Sequence, residues 1–459
     1  MNTDKLLIDN PDNLLFGKAP KPVKLKRGFE IGSGEVYPEI NFTLPQMIID
    51  ESNWSEIKDI YREMATDVCK RAADLYAPAL VVEFELLPPM TITPEWGAEI
   101  TEILTSILEE FHQKYGLKSA LRATPVDIRD SDRPPLMRSG EMAENMFRSF
   151  ELCASAGADI LSIESTGGKE VHDEALVNAD LQGIVFALGV LAVKDMDYLW
   201  ERIVRISKKY NTIPGGDTAC GFANTAMVLA DKGMIPKILA AVVRTSSVAR
   251  SLAAYRQGAV GPSKDCAYEG PFIKAMTGIP ISMEGKASAC AHLSCLGNIS
   301  SAYTDLWSNE SVQNIKLLSA YAPVVSVEQL IYDCRLMNLA LKESADSTLK
   351  FRNWMIESDA DFDPQAFIFR PENVLYLSKK MLEAESPYKM VLTAVDETLK
   401  LLRNAIEKSD IKVNDTENRW LDLLSMQNEM LPADEGSLTE LIRAGTYADK
   451  FTPGEYGLK

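Results

Sequence analysis

Between residues 55 and 213 one unit recurs four times: a stretch with apolar residues at helical spacing, followed by a short apolar run of strand character. The pairs fall at 55–75 and 79–85, 95–115 and 120–128, 140–156 and 159–164, and 179–210 and 211–213, with Pro88 and Pro89 closing the first strand. Such alternation builds a parallel sheet covered by crossover helices, either closed as a (β/α)8 barrel or open and doubly wound. An open dinucleotide-binding sheet carries G-x-G-x-x-G after its first strand, and no such run follows Glu85 or occurs elsewhere. The pattern therefore predicts the barrel.

A fifth helix over 223–256, interrupted at Pro236, and a strand over 278–284 continue the series. From about residue 309 helical periods dominate; Leu392, Val395, Leu399, Leu402 and Ile406 mark one face of an amphipathic helix. The expected layout is an N-terminal arm over 1–44, rich in Pro, Gly and Lys and wrapped outside the main domain, then a barrel over 45–330. Its last element should finish between Pro323 and Asn338, and a helical extension over 331–459 should pack on it.

The charge balance narrows the partners. With 66 acidic against 48 basic residues the formal net charge is −18, which repels nucleic acid and anionic membrane alike. The longest uncharged apolar run, 181–193, is too short to cross a bilayer, and the first residues lack the features of a signal peptide. A soluble, cytoplasmic protein is expected. Seven cysteines scattered through 459 residues then read as free thiols or metal ligands rather than a disulfide framework.

A barrel of this kind carries its active site where its strands end, so functional side chains should follow apolar runs directly. Three positions do so. Glu164 closes Ile160-Leu-Ser-Ile-Glu before a Ser-Thr-Gly-Gly turn; Cys220 lies in a glycine-rich turn ahead of a helix; Cys266 lies in the turn-rich stretch 260–270. A thiol ahead of a helix N-terminus favours thiolate, the form that binds metal. One carboxylate and two thiols would leave a fourth position open, as in a catalytic zinc site. Two other groupings compete. Cys290, His292 and Cys295 look like a metal knuckle but lack a second pair, so the cysteines are expected as small buried residues. For acid–base work Asp217, His172 and Glu83 are available; His172 is expected exposed or capping, and Asp217 suits orienting a ligand. No G-x-S-x-G elbow is present.

The segments DILSIESTGGKE around Glu164, IPGGDTACGFANTAM around Cys220 and GPSKDCAYEGP around Cys266 resemble the zinc-binding stretches of the methanol:corrinoid methyltransferases. The likeness runs along essentially the whole chain. It implies a TIM barrel with extra helices and a catalytic zinc held by Glu164, Cys220 and Cys266. It also implies methanol as methyl donor, a separate protein carrying the corrinoid (cobalamin), and a homodimer within a heterotetramer. The D-x-H-x-x-G signature of the corrinoid-carrying partner is absent from this chain. Related zinc barrels that pass a methyl group from a methylcorrinoid to a thiol show an H-x-C pair, and no His here precedes a Cys by two positions. A non-catalytic scaffold for a corrinoid protein, or a phosphate-binding barrel using Gly167-Gly168 and Gly215-Gly216, are the readings of a different class.

Overall fold

Eight parallel strands form one sheet: β1 Tyr37–Thr43, β2 Leu80–Leu86, β3 Ser119–Pro125, β4 Ile160–Ile163, β5 Ile213–Asp217, β6 Ser263–Asp265, β7 Ile281–Glu284 and β8 Leu306–Val312. Their spatial order is β5-β4-β3-β2-β1-β8-β7-β6. The remaining gap, between β5 and β6, is crossed by a hydrogen bond from Val260 N to the Pro214 carbonyl at 2.9 Å, so the sheet is a nearly closed (β/α)8 barrel. The computed structural model describes residues 5–217, 221–265, 268–291, 293–313 and 315–459.

Period-two alternation sorts each strand's side chains between two environments. Ile40, Val82, Phe84, Leu121, Leu161 and Ile163 face outward and are fully buried beneath the helices, each contributing roughly 1.5–3 kcal/mol by leaving water. At the amino-terminal end of the barrel Tyr37, Val81, Ala120, Ile160 and Leu306 cluster with Val23, Leu25, Phe29 and Ile31. The latter four come from, or directly flank, an antiparallel hairpin of Lys18–Lys24 and Glu30–Ser33, which plugs that end.

The layout expected from sequence shifts at both boundaries. Tyr37–Thr43, placed in the outer arm over 1–44, is a barrel strand, paired with both β8 and β2. The last barrel helix, Ala322–Glu343, packs on β1 and β8 and runs through the boundary expected at 330–331. Beyond it come helices Ala345–Glu357, Pro371–Leu382, Pro387–Glu407, Asp415–Glu429 and Glu435–Arg443. Side-chain caps at Ser344, Ser386, Asn414 and Asp434 start four of them. The helix expected over 179–210 is continuous but takes a π turn at Ala187–Leu191, against which Gly168 packs so closely that a β-carbon would come within 3.0 Å of the Ala187 carbonyl. Among the described residues no helix is long and apolar enough to cross a membrane.

Candidate functional site

Above the apolar plug the inside of the barrel turns polar. In register with the plug residues, the inner face continues as Glu39 and Asn41 on β1, Glu83 and Glu85 on β2, Arg122 and Thr124 on β3, and Ser162 on β4, then Glu164. Barrels of this class more often fill that space with branched aliphatic side chains. Here ion pairs fill it. Arg122 Nε meets Glu39 Oε1 at 2.7 Å, and its Nη1 donates to Ser162 Oγ at 2.9 Å and to the Pro262 carbonyl at 2.8 Å. One level higher, Lys264 Nζ meets Glu83 Oε2 at 2.5 Å and Glu284 Oε1 at 3.6 Å, while Thr124 Oγ1 donates to Glu83 at 2.8 Å. Burial raises the Glu83 carboxyl, but the Lys264 and Arg122 charges outweigh it and hold the group below the usual carboxylate range. Glu83 is thus a fixed anion, unsuited to trading protons.

At the carboxyl-terminal mouth the balance reverses. Glu85 Oε2 accepts from Asn41 Nδ2 at 2.9 Å; Oε1 meets no partner among the described residues and is not sealed from the mouth. Burial pushes Glu85 up to about 7, with Glu83 and Glu310 adding repulsion against the opposing pull of Lys264. Glu164 follows β4, bridged to Val126 beyond β3, and its carboxylate has no hydrogen-bond partner among the described residues. Burial, then Glu85 and Asp217, push it up to about 8 against the attraction of Lys169 and Lys264. A buried carboxyl such as Glu164, short of positive charge and without a hydrogen-bond partner among the described residues, is what a cation would relieve.

The loop after Glu164 is held on every side. Asp217 Oδ1 accepts the Ser165 N–H at 3.2 Å, and Asp127 Oδ2 accepts the Thr166 N–H at 3.0 Å. Asp127 is itself fixed by Arg129, whose other face grips Asp195 at 2.8 Å. Gly168 N donates to the Tyr456 hydroxyl at 3.0 Å, while the neighbouring Glu455 carboxylate accepts from Arg138 N and Ser139 Oγ, each at 2.6 Å. A β-carbon on Gly167 would overlap the Asp195 carboxylate, and one on Gly216, at φ +124°, would overlap the Tyr255 hydroxyl. These glycines admit close packing rather than cradle a phosphate.

Of the residues singled out from sequence, Glu164 lies at the mouth, while Cys220 and Cys266 fall outside the described residues, as does His292. Their flanks are described. Gly221, directly after Cys220, stands against Glu164: a β-carbon there would lie 3.2 Å from Oε1. Asp265, directly before Cys266, pairs with Met283 in the β6–β7 ladder. An oxygen ligand flanked by segments carrying two thiols has the donor chemistry of zinc. Asp217 touches the residue next to Glu164, in keeping with an orienting role. His172, expected exposed or capping, is fully buried, its Nδ1 3.0 Å from Asp173 Oδ1 and its ring edge-on to Phe222. Cys290 and Cys295, expected buried, are exposed, and Cys295 Sγ sits 3.1 Å from Asp363. Sequence reasoning passed over Glu85, Asn41, Lys264 and Arg122. Glu85 and Arg122 carried a signal, as polar residues at every second position of the apolar runs that became β2 and β3; Asn41 and Lys264 carried none.

A family model for the methanol-cobalamin methyltransferase B subunit matches residues 1–457. A methanol–corrinoid protein co-methyltransferase of Methanosarcina barkeri is 37% identical over 455 residues, covering 98% of this chain and 97% of that one. The crystal structure of the methanol:cobalamin methyltransferase complex MtaBC from Methanosarcina barkeri aligns with a TM-score of 0.92 at 34% identity, covering 99% of each chain. With the barrel, the polar mouth and full-length similarity in agreement, this chain belongs to the methanol-cobalamin methyltransferase B-subunit family.

Proposed function

We propose that this chain activates methanol and passes its methyl group to the Co(I) of a corrinoid carried by a separate protein, using a zinc ion held by Glu164, Cys220 and Cys266. The observation that carries this reading is the family membership together with Glu164, a carboxylate with no hydrogen-bond partner among the described residues, at the barrel mouth beside the segment that follows Cys220. Zinc, when bound, supplies a Lewis acid to the methanol oxygen. The chain's own contribution is a proton. Methyl transfer leaves the C–O electron pair on oxygen while the Co(I) pair forms the new Co–C bond, and the oxygen needs one proton to depart as water. We assign that proton to Glu85, whose Oε1 Asn41 leaves free and whose carboxyl burial raises in the metal-free chain.

The partner's corrinoid must reach the mouth and keep water from it. Ile48 follows β1, Leu293 follows β7, and Ile315, Leu317 and Leu318 follow β8; all five are exposed, Leu318 almost completely at 99%. Apolar side chains exposed along the rim after β7, β8 and β1, three neighbouring strands, suit a protein that covers the mouth from that side. Pairing as a homodimer within a heterotetramer, and operation in the cytoplasm, belong to the same proposal.

The test is to mix the zinc-loaded protein with a reduced corrinoid protein and methanol and follow the Co(I) spectrum. Conversion to methyl-Co(III) is expected. A Co(I) spectrum that persists with methanol but converts with another methyl donor would replace methanol as the substrate; no conversion by any donor would leave the scaffold reading.

A further inference from the structure

Arg250 lies on helix Val248–Gln257, which follows β5, with its side chain 1% exposed. Its Nη2 meets Asp217 Oδ2 at 2.5 Å and Ser165 Oγ at 2.5 Å, and its Nη1 meets Glu269 Oε1 at 3.4 Å. The face of the guanidinium rests on Phe222, 4.5 Å from the ring centre. Those four neighbours are not scattered. Ser165 directly follows Glu164, Asp217 and Phe222 flank Cys220 on either side, and Glu269 lies just beyond Cys266. One side chain therefore touches all three segments assigned to the metal, each extending from a different strand end.

Further bonds tighten the arrangement. Asp217 Oδ1 accepts the Ser165 N–H at 3.2 Å, and Ser251 Oγ, one residue along the helix, donates to Glu269 Oε1 at 2.5 Å. Burying a guanidinium with two carboxylates carries a desolvation cost that apolar packing would avoid, so such a cluster is weak as a device for stability alone. A metal site has a different need: its ligands must be held to within about half an ångström while sitting on separate loops. A planar fork of five donors can tie several loops at fixed angles, which a lysine cannot reproduce.

We propose that Arg250 is the positioning residue that locks the Glu164, Cys220 and Cys266 loops into one preassembled ligand set. The inference rests on the zinc reading above. In it, metal affinity and coordination geometry depend on a residue that never touches the metal.

The test uses the full-length protein, with zinc affinity measured by chelator competition and geometry read from the Co(II)-substituted protein, whose thiolate charge-transfer and ligand-field bands report sulfur ligation and symmetry. Arg250→Met should lower zinc affinity by about 10–100-fold, the usual effect of removing outer support, and should shift the Co(II) bands while far-UV circular dichroism is unchanged. Arg250→Lys should recover only a minor part. Glu269→Gln, which keeps the shape and removes the charge of one arm, should give a smaller loss in the same direction and decides the question if Arg250→Met does not fold. Folded Arg250→Met with wild-type zinc affinity and unaltered bands overturns the positioning role, as does a wild-type result in Glu269→Gln. Absence of thiolate bands in the wild-type Co(II) protein would instead overturn the ligand assignment itself.

Discussion

Lys264 Nζ stands 2.5 Å from Glu83 Oε2 in the middle of the barrel, both side chains at least 96% shielded from solvent. Removing one partner leaves the other charge buried and deprived of its nearest counter-charge. Lys264→Met should therefore destabilise the protein by about 3–5 kcal/mol, and Glu83→Leu added to it should recover much of that loss. Chemical denaturation of the single and double variants checks this. A single variant within about 1 kcal/mol of wild type would mean the pair is not what holds the axis together.

Zinc content should follow the three assigned ligands. Wild-type protein should carry about one zinc per chain, and Glu164→Ala, Cys220→Ala and Cys266→Ala should each lose most of it. Cys290→Ala and Cys295→Ala should keep it, since both cysteines are exposed and Cys295 already faces Asp363. Elemental analysis of folded protein decides the matter. Full retention in either Cys220→Ala or Cys266→Ala would remove that residue from the ligand set.

Glu85→Gln separates chemistry from stability. Loss of the proton should slow methyl transfer by about 10²–10⁴-fold with zinc retained. The effect on stability runs the other way. Burial lifts the Glu85 carboxyl from 4.5 to about 7, so the fold prefers it protonated. Wild-type protein accordingly loses stability relative to the glutamine variant as pH rises from about 4.5 to about 7, and stays lower above that, by something on the order of 1–3 kcal/mol in the metal-free state. Thermal melts of the two metal-free proteins at pH 4.5 and pH 8 measure the gap. An equal gap at both pH values would show that Glu85 ionises normally.

The apolar rim offers a test of docking that leaves the metal alone. Leu318→Asp and Ile48→Asp put charge on exposed positions and should weaken the complex with the corrinoid protein by at least tenfold, on the scale of about 1.4 kcal/mol or more, with zinc content and melting temperature unchanged. Titration calorimetry or sedimentation with the partner reads it out. Wild-type affinity in both variants would move the interface elsewhere.

The sequence revealed strands that complete a helix–strand unit, as Leu80–Leu86 and Ser119–Pro125 do, and concealed two that do not. Tyr37–Thr43 follows a hairpin and Leu306–Val312 follows a short turn at Ile299–Ala302, so neither is announced by a helical period before it. β6, at three residues, is too short for any period. Glu164 was legible because a carboxylate at a strand end is a local signal. Arg250 was not: its partners Ser165, Asp217 and Glu269 lie 85, 33 and 19 residues away, and only folding brings them to one point.

The hydroxyl of Tyr456 reaches back across 288 residues to cap the N–H of Gly168, in the turn that follows Glu164. On the ribosome that separation becomes a separation in time. The strands, the turn and the cysteine segments all emerge before the residue that clamps them, at about 5–20 residues per second. Until residues 455 and 456 are free to fold back, the Glu164 turn lacks one of its hydrogen bonds and Arg138 and Ser139 lack the Glu455 carboxylate. The turn after Glu164 thus gains its bond from Tyr456 only after every strand of the barrel has been synthesised.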